Sequence, residues 1–61
     1  MKLKVTEQAT GKVWFIDPST LGWSSEEKVT RAIFDKLSYQ GGGGCHKRDY
    51  HGAIWFYTLV N

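Results

Sequence analysis

Cys45, His46 and His51 are the residues whose types could do metal or nucleophile chemistry, and they fall in one short stretch, CHKRDYH. A thiolate and two imidazoles are zinc ligands, and Asp49 or Asp17 is the nearest source of a fourth donor. The spacing argues against a site, because adjacent Cys and His side chains diverge whereas zinc ligands come in pairs that a turn of chain can converge. The same residues could form a nucleophile and its base, but a chain of 61 residues offers no pocket or oxyanion donors to go with them. The expectation is no enzyme, no metal and no cofactor.

Gly41 to Gly44 followed by Lys47 and Arg48 resembles a phosphate cradle in composition only. Phosphate loops sit at a helix N-terminus, where the dipole is positive, and these glycines follow the end of a helical pattern. They read as a helix stop and a pliable loop.

Two constellations favour binding. Lys2, Lys4 and Lys12 beside Trp14, joined by Lys47 and Arg48, have the charge and stacking that hold single-stranded nucleic acid. Lysines on a strand also serve simply to keep an edge from aggregating. The second constellation is aromatic: Trp14, Tyr50, Trp55 and Tyr57, with Lys47 and Arg48 at their margin, are more than one helix on one sheet can hide. Exposed aromatics beside Arg mark protein contact surfaces. The expected partner is therefore a protein, with a homodimer as a special case and nucleic acid as the alternative.

Composition sets the outer limits. The chain is 41% hydrophobic with three each of Trp, Tyr and Phe, enough apolar area to fold rather than stay disordered. A net charge of +2, eight Lys and Arg against six Asp and Glu, is weak for a dedicated nucleic-acid binder. A single Cys precludes an internal disulfide, no signal pattern follows Met1, and no apolar run reaches the ~20 residues of a membrane span. A cytoplasmic protein that engages no membrane is expected, and residues 1–61 form one domain.

The elements that would position these residues are few. AIWFYTLV, from Ala53 to Val60, is apolar on both faces and reads as a buried strand, with Ile54, Phe56, Thr58 and Val60 on one side and Ala53, Trp55, Tyr57 and Leu59 on the other. KLKVTE alternates as a half-buried strand, and a turn with Thr10 and Gly11 leads into Val13 to Ile16. Loop length decides whether Val13 and Phe15 or Trp14 and Ile16 join Leu3 and Val5 in the core, and the other pair is left on the second face. Asp17 and Pro18 stop the strand. Ser24 with Glu27 fits a capping box, and Val29, Ala32, Ile33, Leu37 and Gln40, with Phe34 at the edge, make the apolar stripe of the helix. The twelve residues after it, 41 to 52, are long for a return; they hold either a short strand over Cys45 to Arg48 or a loop kept for function.

The predicted class is α+β, ββαβ or ββαββ, with an antiparallel sheet and the helix on one face. A chain of this size, read as complete from Met1 and lacking a site, suits a small inhibitor or adaptor of the kind phage and other mobile elements encode, by analogy of size alone.

Overall fold

A computed structural model describes every residue, Met1–Asn61. The elements are β1 (Lys2–Glu7), β2 (Val13–Ile16), a 3-10 turn (Pro18–Thr20), α1 (Ser25–Tyr39), β3 (Cys45–Tyr50) and β4 (Ala53–Val60). All strand pairs are antiparallel in the order β2-β1-β4-β3. β4, apolar on both faces, takes an interior position and pairs with both β1 and β3. The class is the expected α+β, and the long return resolves into β3 rather than a loop.

The first turn settles the register. Gly11 N–H donates to Glu7 O at 2.9 Å and Glu7 N–H to Lys12 O at 2.8 Å. Gly11 lies at φ 72°, a left-handed conformation that a side chain would resist. This longer loop pairs Leu3 with Ile16 and Val5 with Trp14. Trp14 and Ile16 thus share the helix side, and Val13 and Phe15 point the other way.

Capping fixes both ends of α1. Ser24 Oγ accepts from Glu27 N–H at 3.2 Å and donates to the Glu27 carboxylate at 2.6 Å, and that carboxylate also accepts from Gly22 N–H at 2.8 Å. At the far end Gly42 N–H donates to Leu37 O and Gly41 N–H to Ser38 O, both at 3.0 Å, the paired bonds of a Schellman cap with Gly41 at φ 85°. At Gly44 a Cβ would meet Gln40 Oε1 at 2.6 Å, the movable end of an exposed side chain, so no comparable backbone demand holds there. The glycine run is therefore a cap and a return into β3.

The helix buries Thr30, Ile33 and Leu37. This corrects the expected stripe: Thr30 is buried in it, whereas Val29, at 41%, Ala32 and Gln40 are exposed. A threonine can go inside because its hydroxyl donates back to Glu26 O at 3.2 Å. Leu3, Val5, Ile33, Leu37 and Tyr57 form the core, with Trp14, Ile16, Trp55 and Leu59 packed half-buried against it. Only six of 61 residues are buried, so each contributes a large share of a small total. The thinnest dimension is 16 Å, room for one helix on one sheet and nothing on the second face.

Candidate contact surface

The two faces of the sheet sort the candidate residues. On the helix side the paired rows are Leu3 with Ile16 and Leu59, then Val5 with Trp14, Tyr57 and His46, then Glu7 with Trp55 and Arg48. Most of these groups are already engaged. Arg48 makes a two-pronged contact with Glu26, 2.6 and 3.0 Å, and donates to Tyr57 Oη at 3.3 Å. Its guanidinium also lies 4.3 Å from the Tyr50 ring centre. The side chain is 14% exposed, so it joins β3 to the first turn of α1 instead of reaching into solvent.

That contact sets the local electrostatics. Hydrogen bonding from Arg48 holds the Glu26 carboxyl below the usual range, and the same pair holds Arg48 firmly protonated. Burial pushes the Tyr57 phenol up, against the pull of its bond from Arg48. His46 is lowered first by burial and then by the charges of Lys36 and Arg48, so the neutral ring is favoured.

Beyond the helix N-terminus the aromatics pack on one another. Trp14 and Trp55 meet edge to face at 5.2 Å, and Tyr50 lies 5.0 Å from Trp55. Lys12 Nζ stands 5.8 Å from the Trp14 ring. Trp55 Nε1 is buried with no hydrogen-bond partner, a desolvation cost of about 1–3 kcal/mol that this packing must offset.

The opposite face is open. It carries Val13 and Phe15 from β2; Lys2, Lys4 and Thr6 from β1; Ile54, Phe56, Thr58 and Val60 from β4; and Cys45, Lys47 and Asp49 from β3. Across the strands the rows read Val13, Thr6, Phe56, Lys47 and then Phe15, Lys4, Thr58, Cys45. Phe15 is 56% and Val13 43% exposed. Asp17, just past β2, is held ionised chiefly by hydrogen bonds from Ser19, with a smaller pull from Lys2. Asp49 flanks Lys47 on the same side, so the cations of this face are largely balanced.

The sequence candidates are thus divided. Trp14, Arg48, Tyr50, Trp55 and Tyr57 lie on the helix side, and Tyr57 at 1% exposure is core. Lys2, Lys4 and Lys47 lie on the open side, away from Trp14 and Lys12. Lys47 and Arg48, neighbours in sequence, point to opposite faces because strand alternation separates them. For the same reason Cys45 and His46 diverge, and no group of three His, Cys, Asp or Glu residues comes together. Val13, Phe15, Ile54, Phe56 and Val60 are the contact candidates that sequence reasoning did not select. Their signal was Gly11, whose left-handed turn sets the β2 register.

Comparison of the chain with protein-family models, curated proteins and solved structures returns no match. No helix is long and apolar enough to cross a membrane.

Proposed function

We propose that this chain is a small, non-catalytic protein-binding module that acts through the open face of its sheet, as an inhibitor or adaptor of a larger assembly. The observation that supports this most is the exposure of Phe15 and Val13, 56% and 43%, in a field shared with Ile54, Phe56 and Val60. Nothing in the chain covers that field. Apolar columns on β2 (Val13, Phe15) and β4 (Ile54, Phe56, Val60) stand on either side of the Lys2, Lys4 and Thr6 column of β1, with Lys47 and Asp49 on the β3 margin, the mixture of exposed apolar groups and charges that a protein interface carries. Burying this face against a partner would add apolar area to a molecule whose own core is small.

A second reading is single-stranded nucleic acid, favoured by one feature of register: Lys4 lies directly beside Phe15, placing a cation next to a stacking ring. Asp17 and Asp49 count against it, since carboxylates on the face repel phosphate. Capture from cell extract with and without nuclease separates the two readings. A protein retained after nuclease supports the first; material released by nuclease and lost steeply with salt supports the second.

A further inference from the structure

β3 is an edge strand, last in the sheet order. Its turn to β4 is the pair His51 and Gly52, at φ 50° and 82°, the two-residue geometry that makes the flanking pair Tyr50 and Ala53 hydrogen-bonded. By alternation Arg48 with Trp55 and His46 with Tyr57 are bonded pairs too. The backbone N–H and C=O groups of Cys45, Lys47 and Asp49 therefore point outward, and none of the turn, loop or cap bonds uses them.

Next to that row lies a groove of about 260 Å³ between β3 and the helix, lined by Val29, Ala32, Ile33, Lys36, His46 and Arg48. Ala32 and Ile33 lie three and four residues after Val29, and Lys36 lies four and three after them, so the four share one stripe of the helix facing the strand. A fifth strand laid against β3 would direct alternate side chains to the helix side, into this groove. Its floor is aliphatic, and Lys36, which makes no ion pair, is its free cation, since Arg48 is held by Glu26. The other sheet edge, β2, has four residues and runs into Pro18, so it offers a shorter template.

We infer that the β3 edge and its groove take up an extended acidic peptide segment of a partner protein as a fifth strand, with one aliphatic side chain seated on Val29, Ala32 and Ile33, a carboxylate two positions away on the same side facing Lys36, and carboxylates at the adjacent positions facing Lys47 on the open side. Main-chain bonds to Cys45, Lys47 and Asp49 supply the affinity and the groove supplies the selectivity, as in other cases of strand addition beside a helix. A second copy of this chain is the poorer occupant: its β3 would present His46, Arg48 or Tyr50 to a cationic groove, and Arg48 and Tyr50 are already held in contacts of their own. This site is separate from the open face and does not depend on it.

The test is an amide NMR titration of the intact chain with an end-capped synthetic peptide in which a single Val is flanked on each side by two Glu. The amides of Cys45, Lys47 and Asp49 should shift and gain protection from exchange. N-methylation of the edge-facing peptide nitrogens should weaken binding about tenfold, the same peptide with Lys in place of Glu should not bind, and Ala32→Glu, at an exposed helix position, should abolish the response. Phe15→Asp should leave the titration unchanged. Three unmoved amides, equal binding of the N-methylated or lysine peptide, or shifts confined to Val13, Phe15 and Phe56 would overturn the inference. The last outcome would leave the open-face proposal standing.

Discussion

Leu3 and Val5 on β1 are wholly buried, while on the neighbouring strand Val13 and Phe15 stand 43% and 56% exposed. The two pairs are similar in size and hydrophobicity and differ only in which side of one sheet they occupy. On the covered side every large group has a use inside the fold: Tyr57 and Leu37 fill the core and Arg48 holds the helix to β3. On the open side Val13 and Phe15 stand beside Thr6 and Lys4 and face solvent. Hydrophobicity alone therefore does not locate the core of this chain. The single helix does, and the surface it leaves bare is where a partner would add most.

Substitutions should separate the faces by the size of their effect. Leu37→Ala, in the core, should cost about 2–5 kcal/mol in chemical unfolding. Arg48→Ala should cost about 1–3 kcal/mol, because it leaves Glu26 and the Tyr57 hydroxyl without their partner. Lys47→Ala, one residue away on the open face, should stay within about 0.5 kcal/mol of the wild type. Equal losses at Lys47 and Arg48 would break the comparison.

The near-neutral part of the acid sensitivity should come from the covered face, while Asp17 and the helix-capping Glu27 share the part at lower pH with Glu26. His46 is held below its usual 6.5 and Glu26 below its usual 4.5. For both groups the unfolded chain takes up the proton first, so their stabilisation is full above the usual value and is lost as pH falls through the lowered one. Unfolding midpoints followed downward should begin to drop below about pH 6.5 and again below about 4.5. His46→Asn should flatten the upper limb, and Glu26→Gln should shrink the lower one, leaving the share of Glu27 and Asp17. The smallest effect belongs to exposed Cys45 on the open face: Cys45→Ser should change stability by less than about 0.5 kcal/mol, and a chelator should leave the melting curve unmoved.

Much of the architecture was legible because local signals agreed with one another. Pro18 ended β2, Ser24 and Glu27 started the helix, and the two-faced apolar run of β4 required an interior place in the sheet. The faces were harder to read. Their assignment hung on one residue of loop length at Gly11, and without it Trp14 and Phe15 were equal candidates for exposure. Arg48 was misleading for a related reason: Glu26, its partner, lies 22 residues away on another element, so nothing local marked it as engaged. Thr30 was passed over because its back-bond to Glu26 O, which makes burial tolerable, belongs to the folded helix and not to residue type.

The most direct measurement is capture of protein from nuclease-treated extract by the tagged wild type and by Val13→Asp and Phe15→Asp, both at exposed positions of the β2 edge strand, with circular dichroism to confirm that each variant folds. The wild type should retain a partner and both variants should lose it while keeping the wild-type spectrum. Retention of the same partner by both folded variants would contradict the assignment of the open face as the contact surface.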